Sequence, residues 1–144
     1  MAEQQSYGNH ARFVPPFHWL AVPLTMIVLV WSANQLVTGF SVATLMQFFS
    51  ALALTMATFF ARVFALKAQD RLIRFEERER MGRLLPDDLK ARIGQLGVQQ
   101  FVSLRFASDG ELADLVRRTL AGEFAKPQDI KRAIKTWRAD NDRV

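Results

Sequence analysis

No cysteine occurs in the 144 residues. Disulfides, zinc–thiolate centres and cysteine nucleophiles are thereby excluded, and the redox compartment cannot be read from thiols. Histidine is scarce: His10 and His18 are the two copies, both near the amino terminus. Charge is missing over one long stretch. From Phe13 to Ala61, 49 consecutive residues contain no Asp, Glu, Lys or Arg. A bilayer's hydrocarbon core needs about 20 apolar residues per helical crossing. A single helix over this stretch would measure ~74 Å, too long for any membrane. Two crossings joined at Thr38-Gly39-Phe40-Ser41 fit the length. A cleaved signal peptide fits less well. Its hydrophobic region would be too long, Ser32-Ala33-Asn34 is a poor cleavage site, and a second apolar run follows directly. The sequence therefore predicts an integral membrane protein built on a helical hairpin.

What is present divides sharply by composition. Mean hydropathy is near zero, but the average hides two halves. The first 66 residues carry only Glu3, Arg12 and Arg62 as charged groups; from Lys67 onward there are 17 Lys/Arg and 13 Asp/Glu. The basic balance suits anionic lipid headgroups. Nucleic acid is a weaker match, because the acidic residues are interleaved with the basic ones.

The organisation reads as an amino-terminal flank over 1–15, a two-helix transmembrane hairpin over 16–66, a charged helical stalk over 67–83, and a helical mini-domain over 84–144. The spans run from about Pro16 to Val37 and from about Val42 to Leu66. Pro15-Pro16 suits a helix start, and Pro23 inside the first span predicts a kink. Phe13, Phe17 and Trp19 cluster where aromatic rings favour the headgroup level. Arg12 precedes the first span; Arg62, Lys67, Arg71 and Arg74 close the second, and the connecting turn is uncharged. The positive-inside rule then places both termini in the cytoplasm.

Ala53, Ala57, Ala61 and Ala65 recur every four residues. Such a small-residue stripe predicts close helix packing in lipid, against the first span in preference to a dimer seam. Residues whose numbers sum to about 79 should share a depth in the hairpin. Ser32, Asn34 and Gln35 then lie near Thr44 and Gln47, where interhelical hydrogen bonds are expected. A polar funnel for an ion or solute is the sharper reading, but transporters place ionisable groups at mid-membrane, and none is present.

From Lys67 to Arg83 helix formers dominate. Asp70–Arg74, Glu76–Arg80 and Glu79–Arg83 are oppositely charged at i,i+4, which supports an exposed helix. The expected role is a solvated spacer. Beyond Leu84 the pattern becomes short helices. Pro86 with Asp87 and Asp88 marks a start, and Leu85, Leu89, Ile93 and Leu96 follow at helical spacing. Ser108-Asp109-Gly110-Glu111 reads as a capping box, followed by Leu112, Leu115, Val116 and Leu120 on one face and a stop at Gly122. Pro127 opens a last helix, with Ile130, Ile134 and Trp137 on one stripe. The fold class is thus all-α. A core of this size is marginal alone.

Residues 101–118 have helix–turn–helix rhythm, and a basic segment over 130–138 follows. Asp109, Glu111 and Asp114 stand where a phosphate-facing surface needs positive charge, so DNA binding is disfavoured. No Ser/His/Asp spacing, phosphate loop or paired carboxylates suggest catalysis, and no cofactor or metal is expected.

The flank Tyr7-Gly8-Asn9-His10-Ala11-Arg12 with prolines and His18, the run EERERMGRLLPDDLKARIGQL, the LRFASDGEL segment and the closing IKRAIKTWRAD carry a likeness. The chain resembles an uncharacterised family of small bacterial membrane proteins, defined only as a domain of unknown function. The resemblance implies a bacterial cytoplasmic membrane location and no particular activity. It directs attention to Asn9, His10, Arg12, His18 and Arg62 as a polar collar at the cytoplasmic face. Such a collar would bind anionic headgroups or a partner's acidic segment, or would simply anchor the helix ends. The expected function is a non-enzymatic membrane anchor or small accessory subunit with a protein partner or as a homo-oligomer. A membrane-tethered DNA-binding regulator and a lipid- or solute-handling protein are the alternatives.

Overall fold

The structure is a computed structural model, and it describes residues 6–8 and 13–140. The chain divides into two compact units, the hairpin Phe13–Leu66 and a helical unit of residues 67–140 with the described amino-terminal residues 6–8. The regular structure is helical throughout; Ala107 and Trp137 add one isolated antiparallel bridge.

The hairpin begins with a π-helical turn, Pro16–Ala21. Its cause lies just downstream. Pro23 has no N–H, and its ring crowds the carbonyl of Trp19 four residues back. One wider turn absorbs that conflict: Val22 N–H donates to Phe17 O, five residues back. Helix α1 then runs Val22–Thr38. After Gly39, helix α2 runs Val42–Leu84 without interruption, 43 residues. Its start is closed reciprocally. Ser41 N–H donates to Thr44 Oγ1 at 2.9 Å, and Thr44 N–H donates to Ser41 Oγ at 3.1 Å. Two helical stretches, Pro16–Thr38 and Val42–Leu84, are long and apolar enough to cross a membrane.

The hairpin's own packing is thin. Among its described residues only Ser32 and Ala51 are buried. Thr55 Oγ1 lies 2.8 Å from Ala51 O and 3.4 Å from Thr25 O on the facing helix. The contact face of α2 is thus the row Phe48, Ala51, Thr55 and Arg62, partly or fully buried at spacings of three, four and seven. This corrects the alanine expectation. Ala53, Ala57 and Ala61 are exposed because they lie around the helix from Ala51 and Thr55, and of the four only Ala65, partly buried three residues past Arg62, shares the contact face. The expected interhelical polar pairs are also absent. Ser32 Oγ donates to Leu29 O at 2.9 Å and Thr38 Oγ1 to Asn34 O at 2.9 Å, each within its own helix.

The helical unit is built differently. Ile73, Glu77, Arg80 and Met81 of α2 are buried, followed by Leu85. The segment read as a solvated spacer is therefore one wall of this unit, a second correction. Helix α3 (Asp87–Lys90), a 3₁₀ turn (Ile93–Gln95), and helices α4 (Val98–Leu104), α5 (Asp109–Leu120) and α6 (Pro127–Ala133) complete it. Their apolar faces meet in one core that includes Met81, Phe101, Leu104, Phe106, Leu112, Val116 and Ile130. Gly97 N–H donates to Gln100 Oε1 at 2.8 Å, capping α4.

The end of α5 shows why Gly122 is glycine. Its φ of +78° lies in the left-handed region, where a Cβ is strained. That conformation lets Gly122 N–H reach Thr119 O and Glu123 N–H reach Arg118 O, both at 3.1 Å. The last carbonyls are satisfied as in a Schellman motif.

Helix α6 is shorter than its apolar pattern suggests. It stops at Ala133, Ile134 is extended, and Trp137 lies in the bridge opposite Ala107. A carboxylate and a carbonyl claim the N–H groups that would have prolonged the chain's turn. Glu111 Oε2 accepts Lys135 N–H at 3.1 Å, Glu111 Oε1 accepts Thr136 N–H at 3.0 Å, and Phe106 O accepts Arg138 N–H at 2.8 Å.

Candidate functional site

Of the five collar residues, Asn9, His10 and Arg12 lie outside the described residues. The structure brings the other two to one aromatic ring. The Arg62 guanidinium stands over Phe17 at 5.9 Å from the ring centroid. His18 meets the same ring edge-on at 5.2 Å and stacks on Phe13 at 4.4 Å. The first turn explains this. Residues 13–18 fold around Val14 O, which accepts Phe17 and His18 N–H at 3.1 and 3.0 Å. His18 Nδ1 is 2.9 Å from Val14 O and 3.2 Å from Val14 N, so its tautomer decides whether it donates or accepts. A cation over an aromatic face gains ~0.5–1 kcal/mol at exposed sites. Phe13, Phe17, His18 and Arg62 thus form one cluster in which the first turn of the hairpin meets α2.

A second polar constellation was missed in the sequence and centres on Arg80, which is 7% exposed. Its Nη1 donates to Glu77 Oε2 at 3.0 Å, its Nε to Asp109 Oδ1 at 3.0 Å, and its Nη2 to Ala107 O at 2.7 Å. Glu77, 5% exposed, also accepts Arg138 Nη1 at 3.2 Å. One guanidinium therefore ties α2 to the turn between α4 and α5, and Glu77 ties α2 to the carboxy-terminal segment. The hydrogen bond from Arg80 holds the Asp109 carboxyl below its ordinary pKa. The i,i+4 reading had given Arg80 to Glu76 and Arg74 to Asp70. Glu76 faces solvent, and Asp70 instead accepts Gln99 Nε2 at 3.0 Å. The available signal was spacing. Glu77, Met81 and Leu85 fall four residues apart, so Glu77 shares the core-facing stripe. Nearby, Arg105 is 5% exposed, with Nε 2.9 Å from Asp140 Oδ2 and its guanidinium over Phe106 at 4.4 Å.

The third feature is an open groove of about 420 Å³ in the hairpin. Its lining includes Val28, Trp31, Met46 and Leu54 with Ser32, Gln47 and Ser50. The lining has no ionisable side chain. Among the described residues no group of three or more His, Asp or Glu side chains is placed to hold a metal ion.

These elements define an all-helical protein with two helices long and apolar enough to cross a membrane and a separately packed helical unit. The chain belongs to a family of unknown function, DUF6526, whose model matches residues 1–144. No curated protein and no solved structure matches the chain.

Proposed function

We propose that the protein is a non-enzymatic membrane anchor that presents a helical interaction unit at the cytoplasmic face, as a small accessory subunit or scaffold. The observation that carries this reading is α2. One uninterrupted helix supplies an apolar span and then, through Ile73, Glu77, Arg80 and Met81, a wall of the helical unit's core. An anchor and its cargo joined this way need no separate linker.

Charge supports the orientation. Lys67, Arg71 and Arg74 follow the second span, whereas the turn at 39–41 has no charge; the positive-inside rule then places both ends in the cytoplasm. The His18–Phe17–Arg62 cluster fits a ring at that headgroup level, and anionic lipid is its natural contact. The family resemblance supports a bacterial inner membrane.

DNA binding is supported less well. The start of α5 exposes Asp109 and Asp114, and Arg118 is engaged by Glu123 at 2.7 Å and approached by Asp114 at 3.6 Å. A phosphate-facing helix would present several uncommitted cations, and α5 leaves only Arg117 exposed and outside an ion pair with a described residue. Solute handling lacks support from any ionisable group in the hairpin groove.

A cysteine-free chain makes the test direct. Single Phe40→Cys and Asp88→Cys variants are treated in intact cells with a membrane-impermeant maleimide. Phe40→Cys labels at once, and Asp88→Cys only after lysis. The opposite pattern overturns the topology. Native-membrane crosslinking should give higher-mass adducts; a protein that always runs alone defeats the accessory-subunit reading. Full-length protein in detergent should not shift DNA at low salt, and a salt-sensitive shift would favour the regulator.

A further inference from the structure

Leu72 and Phe75 are 57% and 68% exposed, more than any other large apolar residue described in residues 67–140, where Leu84 at 43% comes next. They stand on α2 beside Ala68, itself exposed. Spacings of four and three place Ala68, Leu72 and Phe75 at successive d, a and d positions of a heptad. Arg71 and Glu76 then take the flanking g and e positions. Both are exposed, and neither makes an ion pair with a described residue of its own chain. In a parallel pair of helices, a g residue faces the e residue five further along the partner. Arg71 of one copy therefore faces Glu76 of the other, and the twofold axis repeats the pair.

We propose that this face is a parallel homodimer seam, with a second copy of the chain as its occupant. The inference rests on the membrane-anchor reading, which fixes the parallel orientation: two copies inserted the same way cannot meet antiparallel. Lipid is the poorer occupant. Phe75 lies nine residues past Leu66, about 13 Å along the helix, whereas a headgroup layer adds only ~5–8 Å per side. The seam is short, because Glu79 takes the next a position and ends the apolar run. Confinement to one membrane raises the effective concentration and compensates for that shortness.

Single Ala68→Cys, Phe75→Cys and Lys67→Cys variants of the full chain are purified, reconstituted into vesicles of neutral and anionic phospholipid, and mildly oxidised. The two seam positions give covalent dimers and Lys67→Cys, at an outward c position, does not. Arg71→Glu or Glu76→Arg alone, each in the Ala68→Cys background, cuts dimer yield at least fivefold, and the double charge swap restores it. Circular dichroism of each variant excludes misfolding. Equal crosslinking at all three cysteines, or no rescue by the swap, overturns the seam. So does quenching of a Phe75→Cys fluorophore by quencher-labelled lipid, which would assign the face to the bilayer. Carbonate extraction separates the two failures. A protein that stays in the membrane without dimerising sinks the seam alone; one that is extracted sinks the anchor reading as well.

Discussion

Replacing Arg80 by Met removes the guanidinium that joins α2 to the α4–α5 turn while keeping most of the side chain's volume. Three groups lose a partner. Glu77 keeps only Arg138, which is half exposed. Ala107 O loses its 2.7 Å donor, and Asp109 is released toward solvent. Removing one partner from a buried ion pair costs ~3–5 kcal/mol when the survivor is left alone. Glu77 retains one contact, so the expected loss is about 2–4 kcal/mol. The double variant Glu77→Met/Arg80→Met removes both buried charges, leaving chiefly the Ala107 carbonyl unpaired, at about 1–2 kcal/mol. The double variant is thus predicted to be more stable than the Arg80→Met single variant, a strong non-additivity. Trp19 and Trp31 are first changed to Phe, so that Trp137, 4.9 Å from Phe106 in the helical unit's core, is the lone reporter. Urea titration of detergent-solubilised protein then reads unfolding of that unit by fluorescence. The reasoning is refuted if Arg80→Met lies within about 0.5 kcal/mol of the parent, or if the double variant is the less stable of the two.

Three further outcomes follow from the same unit. Asp109 has a lowered folded pKa, so its contribution is present above the unfolded value and is lost as pH falls through the folded one. Acid titration should weaken the unit, with Asp109→Asn flattening the dependence; the side chain is exposed, so the difference stays under about 1 kcal/mol. Glu111→Ala removes the acceptor for Lys135 and Thr136 N–H, and hydrogen exchange at 134–137 should accelerate at least tenfold, about 1.4 kcal/mol of lost protection; unchanged exchange would show the segment is held by other means. Gly122→Ala forces a Cβ into the left-handed region and should cost about 1 kcal/mol. A silent substitution there would mean that the α5 terminus relaxes to another cap.

Much of the architecture is legible in the chain. The uncharged run, its central glycine and the summed-position rule anticipate the hairpin, and Thr25 and Thr55 meet where that rule places them. The all-helical class and the family likeness stand, as do the α5 stop at Gly122 and the link between Ser108 N–H and Glu111 Oε1 at 3.4 Å. What failed has one common source. Helical periodicity tells which residues share a face, not which face meets a partner. The alanine row is a real stripe, but Ala51 and Thr55 face α1. Charges at i,i+4 are equally available to tertiary partners, and Asp109 outcompetes Glu76 for Arg80. Helix α6 ends early because Glu111, distant in sequence, takes the N–H groups beyond it. Of the collar, His18 and Arg62 converge on Phe17, whereas Asn9, His10 and Arg12 lie outside the described residues.

The thinness of the hairpin has an evolutionary corollary. With Ser32 and Ala51 as its only buried described residues, most hairpin positions are judged by greasiness and not by shape, so one apolar side chain can drift into another at little cost. The helical unit is close-packed, and interiors of that kind feel the gain or loss of a single methylene. Family members should therefore diverge at two tempos, freely interchanging Leu, Val, Phe and Met across the spans while holding the volumes at Phe101, Phe106 and Leu112. An alignment in which the spans were the more constrained half would point to a covering partner along their whole length.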